Sequence, residues 1–218
     1  MLDIEEKNKQ HYKLQRIVIG ICGILLVPLS LIFGILGEYF GNNFIPHWMN
    51  NISLTFWATS NVLMISALAI SGMFLITYLS LSKKDEWINR IIGIGFFGII
   101  AFPYLDNNLL SNIGLFQVPC MISNILHASF AFISFALMGY NCIFLFTISR
   151  DNLTKKKKIR NIIYIICGIG IWLFLIMIGF YTVFKLTNMA VMWYEWSILT
   201  LFGLSWIIKS GLVGALND

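Results

Sequence analysis

The last apolar segment of the chain, residues 190–212, opens with Met192-Trp193-Tyr194-Glu195-Trp196-Ser197. The segment is long enough to cross a bilayer, which takes about 20 apolar residues in a helix. Glu195 is therefore a carboxylate just inside a predicted membrane span, and an ionisable group in that position is by default a candidate functional site. The alternative is an interfacial position, because Trp and Tyr favour the headgroup level, where Glu195 would face water.

The composition of the whole chain supports a membrane location. Of its 218 residues, 58% are hydrophobic and 11% are charged, whereas soluble domains carry about 25% charged residues. The net charge of +5 comes from basic residues in the links between apolar runs, where they set orientation or contact lipid headgroups. We therefore expect membrane lipids as partners and no nucleic acid, and we leave a membrane-protein partner open.

The sequence carries no motif of a metal, nucleotide or hydrolase site. Its four cysteines form no CxxC pair and no Cys/His spacing that suits a metal. There is also no HExxH, no G-x-S-x-G and no glycine-rich phosphate loop. We therefore expect no metal and no cofactor, and we leave enzymatic activity uncertain, with a non-enzymatic role favoured.

Six apolar runs are each long enough to form a membrane-spanning helix. The predicted helices cover about residues 14–36, 52–81, 88–105, 119–148, 159–184 and 190–212. The first run is too long for the core of a signal peptide and has no small-x-small cleavage site, so we interpret it as a membrane helix. The sequence thus predicts an all-α polytopic membrane protein with one membrane domain, residues 1–218.

Basic residues fall unevenly on the two sides of this six-helix arrangement. The outer side holds only Lys185, and Lys209 lies near the inner side. The inner side holds Lys7, Lys9, Lys13, Arg16, Lys83, Lys84, Arg90, Arg150, Lys155, Lys156, Lys157, Lys158 and Arg160. Because Lys and Arg are enriched in cytoplasmic loops, both termini are predicted to be cytoplasmic. The predicted location is the plasma or cell membrane, with an endomembrane as the alternative.

The run Lys155-Lys156-Lys157-Lys158 is the strongest charge feature of the chain. On the predicted inner face it is a candidate contact for anionic headgroups, at roughly 1 kcal/mol per basic residue. The alternative is that the run only sets the membrane orientation.

Three ionisable side chains are predicted to lie at comparable depth in the outer half of the membrane. They are Asp106 at the end of the third segment, His127 in the fourth and Glu195 in the sixth. A carboxylate with an imidazole suits proton transfer or metal-assisted hydrolysis. Together with Asn124 and Trp196, they are the candidate lining of a lipid or ligand pocket.

Two other interpretations of these residues stay open. In the first, His127 and Glu195 pair with each other, or with Asn124 or Tyr104, and pin the fourth and sixth helices together, at roughly 0.6 to 2 kcal/mol per contact. In the second, His127, Glu195 and Asp106 are catalytic, and Ser123 or Ser129 is the nearest hydroxyl that would act as a nucleophile.

Short motifs along the chain resemble the Frag/DRAM/Sfk family of six-helix membrane proteins. The resemblance lies in Leu126-His127-Ala128-Ser129-Phe130-Ala131-Phe132 with Gly139-Tyr140, in Tyr194-Glu195-Trp196, and in Asn51-Ile52-Ser53. Uncharacterised bacterial six-helix membrane proteins share much of the same pattern. The resemblance implies a role in lipid handling or its regulation, without an agreed catalytic mechanism. The chain departs from the family where Leu54-Thr55 replaces the Asp that often follows the Ile-Ser element.

These observations favour an integral membrane protein that binds or organises membrane lipids. The second hypothesis is a membrane-embedded lipid hydrolase or transferase that uses the outer-leaflet His/Asp/Glu cluster. The third is a small transporter, which is disfavoured because the sequence has no internal repeat and no paired helix breaks.

Overall fold

The computed structural model describes residues 2–41, 47–80, 82–106, 110–148, 154–184, 186 and 189–216. Arg150 and Lys185, two of the residues used to predict orientation, lie outside the described residues. The prediction of an all-helical protein is confirmed. The α-helices are α1 (Leu2–Tyr39), α2 (Asn61–Thr77), α3 (Lys83–Ala101), α4 (Cys120–Tyr140), α5 (Lys155–Val183) and α6 (Ala190–Ser210).

Short non-α elements connect or extend these helices. A π-helical turn, Asn141–Leu145, follows α4 directly. A two-residue antiparallel hairpin, β1 (Asn112–Ile113) with β2 (Val118–Pro119), lies between α3 and α4.

In the described part of the chain, four helices are long and apolar enough to cross a membrane. They are Glu6–Tyr39 within α1, Cys120–Leu145 in α4 with its π-helical turn, and the whole of α5 and α6. The helix α2 is apolar but has only 17 residues. These four candidate spans indicate a membrane protein.

Beyond its basic first turn, α5 has an apolar outward face. The isoleucine and leucine side chains on this face recur at helical spacing and are each more than half exposed: Ile162, Ile166, Leu173 and Ile176. Soluble monomers rarely expose a contiguous apolar face of this extent. In a bilayer the same face contacts lipid tails.

The structure divides the predicted helix 52–81 into two parts. Residues Ile52–Trp57 form a 3₁₀ helix, and α2 begins only at Asn61. The side chain of Asn51 caps the 3₁₀ helix by accepting a hydrogen bond from the backbone N–H of Leu54 at 2.9 Å. Because such side-chain caps compete with α-helical hydrogen bonds, the polar start of this run forms a separate turn instead of the first part of a long helix.

The helix α3 begins at Lys83, whereas the apolar pattern predicts a start at residue 88. The hydroxyl of Ser82 caps it by accepting a hydrogen bond from the backbone N–H of Asp85 at 3.1 Å. Acidic side chains in the first turn also suit the positive end of the helix dipole. The helix ends shortly before Pro103, which disfavours the helical conformation at the residue before it.

The helices α1 and α6 pack with their backbones in close contact. A Cβ atom on Gly203 would lie 2.5 Å from the carbonyl oxygen of Gly20, and a Cβ atom on Gly20 would lie 2.7 Å from that of Gly203. Small residues at such crossings let membrane helices approach closely. The close contact at Gly20 and Gly203 therefore sets the axial register between α1 and α6.

Polar side chains gather at the two ends of the helix bundle. At one end, Arg16 of α1 donates a hydrogen bond to the backbone carbonyl of Lys209 of α6 at 3.1 Å. We call this end the basic end. At the opposite end, His127 of α4 and Glu195 of α6 face the 3₁₀ helix Ile52–Trp57. The interior between the two ends is apolar and includes Leu68, Ile92, Phe96, Met138, Ile198 and Phe202.

Candidate functional site

The imidazole of His127 links the 3₁₀ helix to the end of α3. Its Nε2 lies 2.8 Å from the hydroxyl oxygen of Ser53, and its Nδ1 lies 2.8 Å from the carbonyl oxygen of Phe102. A carbonyl oxygen can only accept, so Nδ1 carries the proton in this arrangement. In the neutral ring Nε2 is then an acceptor, and the hydroxyl of Ser53 donates to it.

Glu195 ties α6 to the same 3₁₀ helix. Its Oε2 accepts a hydrogen bond from the backbone N–H of Ile52 at 2.7 Å. Glu195, His127 and Ser53 line one small cavity of about 20 Å³, whose other walls are apolar. We call it the closed cavity.

The closed cavity is too small for a lipid headgroup. A single water molecule needs roughly 10–15 Å³ by this measure, so about 20 Å³ holds one water. The side chains of His127 and Glu195 belong to residues only 5% and 8% exposed. The bonds that these two side chains make go to the 3₁₀ helix and to Phe102, and not to the predicted partners. Their arrangement therefore favours a structural role, but one that holds the 3₁₀ helix against α4 and α6.

The other residues predicted for the outer pocket lie outside the walls of the closed cavity. Asp106 is exposed. The amide side chain of Asn124 bonds both the N–H and the carbonyl of Leu105, at 3.0 and 2.9 Å, and so holds the link after α3. The indole N–H of Trp196 donates to the carbonyl of Ile24 at 3.1 Å and packs α6 on α1.

The two hydroxyls named as candidate nucleophiles are also directed elsewhere. Ser123 donates to the carbonyl of Pro103 and Ser129 donates to the carbonyl of Ile125, both at 2.8 Å. The hydroxyl that meets His127 belongs to Ser53 instead. In the sequence, the only signal at Ser53 is its place in the Asn51-Ile52-Ser53 element. It lies 74 positions from His127, so the sequence does not predict their contact.

A much larger cavity, of about 520 Å³, opens at the basic end. We call it the basic cavity. Its charged lining side chains are Arg16, Lys157, Arg160, Lys209 and Asp85. Tyrosines and apolar side chains complete the wall, among them Tyr12, Tyr78, Tyr164, Leu145, Phe146 and Ile208. The volume falls within the usual range of about 300–1,000 Å³ for small-molecule sites.

Lys209 is held by a carboxylate and by aromatic rings. Its Nζ lies 3.3 Å from Oδ2 of Asp85 and 3.8 Å from the ring centroid of Phe146. The rings of Tyr78 and Trp206 lie at 5.4 and 5.5 Å from the same atom. Cation–π contacts of this kind gain strength where water is excluded.

Asp85 is itself held by further polar side chains. The hydroxyl of Ser80 makes a short hydrogen bond to Oδ2, and the amide of Asn89 donates to Oδ1 at 2.7 Å. Asn89 in turn accepts a hydrogen bond from Asn141 at 2.7 Å. A buried ion pair needs such extra hydrogen bonds to offset its loss of hydration. The bonds from Ser80 and Asn89 to Asp85 provide this for the pair of Asp85 and Lys209.

Arg16 has a different environment. It donates to the backbone carbonyl of Lys209 at 3.1 Å and to the hydroxyl oxygen of Tyr78 at 3.4 Å. Its Nε is buried and has no hydrogen-bond partner among the described residues. Tyr78 is 1% exposed and uses its oxygen as the acceptor in this bond, so its own proton stays available. Both groups offer donors that an anion would satisfy.

The predicted headgroup-binding lysines divide between the surface and this cavity. Lys155, Lys156 and Lys158 are exposed. Lys157 is half-buried, donates to the carbonyl of Phe146 at 3.0 Å and lines the basic cavity. The run occupies the first turn of α5, where the helix dipole disfavours positive charge. Its position is therefore explained by membrane orientation or anion binding and not by helix stability.

Arg160 follows on the same helix and completes the charged wall on this side. Its Nη1 donates to the carbonyl of Leu216 at 2.7 Å, close to the chain's carboxyl end. The sequence marks Arg16, Arg160 and Lys209 only as charges near one membrane face. Their convergence depends on how α1, α5 and α6 pack.

Within the described ranges, no three His, Cys, Asp or Glu side chains are grouped in a way that would hold a metal ion. No protein-family model, no curated protein and no solved structure matches this chain.

Proposed function

We propose that the chain is a six-span membrane protein that binds anionic membrane lipids, with the basic cavity as the headgroup site. The single observation that carries this proposal is the basic cavity itself: among the described residues, four basic side chains line it against one carboxylate. That carboxylate, on Asp85, is already paired with Lys209. The lining therefore favours a negatively charged ligand.

The apolar part of the lining supports a lipid in preference to a soluble anion. Leu79, Leu145, Phe146, Ile148 and Ile208 contribute to the same wall as the basic groups. A lining with a charged part and an apolar part suits an amphiphilic molecule, because the headgroup can meet the charges while the acyl chains cover the apolar side chains. The family resemblance points in the same direction, since lipid handling is what its members share.

Six spans need α2 and α3 to cross the bilayer as well. The helix α3, with 19 residues, is about 28 Å long at 1.5 Å per residue. The helix α2, with 17 residues, is about 25 Å long, and the 3₁₀ helix before it adds about 12 Å. The lengths of α2 and α3 both approach the hydrocarbon thickness of a bilayer, which is about 30 Å. The bond between Arg16 and Lys209 agrees with an even number of crossings, because it joins the start of the bundle to its end.

The basic end is then the cytoplasmic end. The basic residues of the predicted inner side that line the cavity, Arg16, Lys157 and Arg160, support this orientation. The cytoplasmic leaflet is also the leaflet with the more negative surface potential. A cavity with a basic wall would meet its ligands there.

The proposal is tested by native mass spectrometry of the purified protein with two lipids of identical chains. The probes are dioleoyl phosphatidylglycerol, which is anionic, and dioleoyl phosphatidylcholine, which is zwitterionic. We expect adducts with the anionic lipid to survive higher collision energy, and Arg16→Gln to remove this difference. Lys158→Gln is the matched control, since it deletes an exposed charge outside the basic cavity. Equal retention of phosphatidylglycerol by the wild type and Arg16→Gln would overturn the proposal.

A further inference from the structure

We infer that the basic cavity selects a phosphomonoester group, so that its ligand is a lipid whose headgroup ends in a phosphomonoester. This inference rests on the proposed function, which requires only an anionic headgroup. It narrows that function to one class of anion.

Lys209 and Arg16 differ in how far the protein itself satisfies their charges and donors. The charge of Lys209 is compensated by Asp85 and by three aromatic rings. Among the described residues, the guanidinium of Arg16 bonds a backbone carbonyl and a hydroxyl and lies over the Tyr78 ring, while its buried Nε–H has no acceptor there. A buried donor without a partner costs free energy. A ligand oxygen at Arg16 would remove that cost.

The number of terminal oxygens on the ligand distinguishes a phosphomonoester from a phosphodiester. Arg16 and Tyr78 contact each other and both belong to the cavity lining. The buried Nε–H of Arg16 has no acceptor among the described residues, and the Tyr78 oxygen serves as an acceptor in their bond, so each residue has a donor left for a ligand that reaches it. Lys157 and Arg160 place two further positive charges on the α5 side of the same cavity. A phosphomonoester has three terminal oxygens, whereas the phosphodiester of an ordinary glycerophospholipid has two. The monoester can therefore bond Arg16 and Tyr78 and still present an oxygen to the α5 side.

The charge of the headgroup also distinguishes the two kinds of phosphate group. A phosphomonoester carries about −1.5 to −2 charges near pH 7, because its second pKa is about 6, and a phosphodiester carries one. Four basic side chains and one carboxylate in the described lining leave an excess of positive charge. The Coulomb energy of the ligand grows with its own charge. The lining thus favours the doubly charged headgroup over the singly charged one.

The wall also distinguishes two sources of the same chemistry. A free phosphomonoester, such as glycerol 3-phosphate, would satisfy the polar donors but would leave the apolar wall of Leu145, Phe146 and Ile208 in contact with water. A lipid phosphomonoester covers both parts. We therefore assign the site to the lipid form.

The test uses the full-length protein in nanodiscs of dioleoyl phosphatidylcholine doped with either dioleoyl phosphatidate or dioleoyl phosphatidylglycerol. The doped lipid retained after transfer of the protein into discs of dioleoyl phosphatidylcholine alone is quantified by mass spectrometry. We expect phosphatidate to be retained at least about tenfold over phosphatidylglycerol. Millimolar glycerol 3-phosphate is expected not to displace it.

Two variants connect the preference to the proposed donors. Tyr78→Phe keeps the ring beside Arg16 and Lys209 but removes the hydroxyl, and Arg16→Lys keeps the charge but removes the Nε–H. Both are expected to reduce the preference for phosphatidate while phosphatidylglycerol binding persists. Lys158→Gln is expected to leave the preference unchanged. Wild-type elution profile and melting temperature identify the variants that fold.

The outcomes separate this inference from the proposed function. Equal retention of both anionic lipids by the wild type, with loss of both in Arg16→Gln, overturns the phosphomonoester preference and leaves anionic-lipid binding in place. Equal retention of both lipids by the wild type and Arg16→Gln overturns the proposed function as well. Displacement of phosphatidate by glycerol 3-phosphate overturns the assignment to a lipid.

Discussion

The ammonium group of Lys209 lies 3.3 Å from the carboxylate of Asp85, which joins the last turn of α6 to the first turn of α3 at the wall of the basic cavity. The two residues are separated by 124 positions in the chain. Their side chains are mostly buried, at 17% and 4% exposure. The contact therefore fixes the shape of the cavity as well as part of its charge.

We predict that Asp85→Asn destabilises the protein by on the order of 3 kcal/mol, because it leaves the charge of Lys209 buried without its carboxylate. The double variant Asp85→Asn with Lys209→Met is expected to recover most of that loss, since it leaves no unpaired charge. Thermal unfolding in detergent measures both. A double variant no more stable than Asp85→Asn would show that the ion pair is not the cause.

Ser53→Ala is predicted to cost about 1–3 kcal/mol, because Nε2 of His127 loses its donor in a closed interior. Ser129→Ala is the matched control. It removes an exposed hydroxyl that bonds its own helix, and its expected effect is within about 0.5 kcal/mol. Unfolding curves of the two variants compare them directly. Equal effects would contradict the role assigned to Ser53.

Glu195→Gln is predicted to change stability by less than about 0.5 kcal/mol. The amide oxygen of Gln can accept the same hydrogen bond from the N–H of Ile52 that the carboxylate accepts. Glu195→Ala removes the acceptor and is expected to cost about 1–3 kcal/mol. Melting temperatures of both variants decide the matter. If Gln were as damaging as Ala, the negative charge itself would be needed at this end of the bundle.

Gly203→Ala is predicted to destabilise the packing of α1 on α6. The added Cβ would lie 2.5 Å from the backbone oxygen of Gly20, so the helices must separate. Gly179→Ala in α5 meets nothing within 4 Å and is expected to be neutral or stabilising by up to about 1 kcal/mol, because Ala favours a helix. Melting temperatures test the pair, and a stable Gly203→Ala variant would disprove the close packing.

Topology is tested with single cysteines at the two ends of the bundle. Leu115 lies in the hairpin link and is 75% exposed, and Lys158 is exposed at the start of α5. In intact cells, a membrane-impermeant maleimide is expected to label Leu115→Cys and to label Lys158→Cys only after permeabilisation. The unsubstituted protein gives the background from the native cysteines. The reverse pattern would place the basic end outside.

The helices were predicted from the sequence where apolar runs are long and uninterrupted. The predicted starts and ends of α5 and α6 agree with the structure to within a few residues. The first helix begins at Leu2, well before the predicted residue 14. The predicted helix 52–81 is interrupted at residues 52–60, where an Asn cap and the carboxylate of Glu195 take backbone N–H groups. The hydropathy pattern of one segment cannot predict a hydrogen bond to a side chain on another helix, such as that from the N–H of Ile52 to Glu195.

The candidate site was predicted only in part for the same reason. His127 and Glu195 do line one cavity, but Ser53 completes it, while Asp106, Asn124 and Trp196 lie elsewhere. Depth in the membrane can be counted from the sequence, whereas the direction of a side chain around its helix depends on which helices are neighbours.

Hydropathy and helix length determine by themselves that this chain is a helical membrane protein, because each acts within one segment and needs no knowledge of the others. Lys157 was likewise recognisable as one of a run of basic residues. Only the tertiary structure decided that Lys157, Arg16 and Lys209 share one cavity and that Glu195 lies in a closed one. Arg16 and Lys209 are 193 positions apart, and their contact follows from the close approach of α1 and α6 at Gly20 and Gly203. That approach is a property of two surfaces packed together, which neither segment encodes alone.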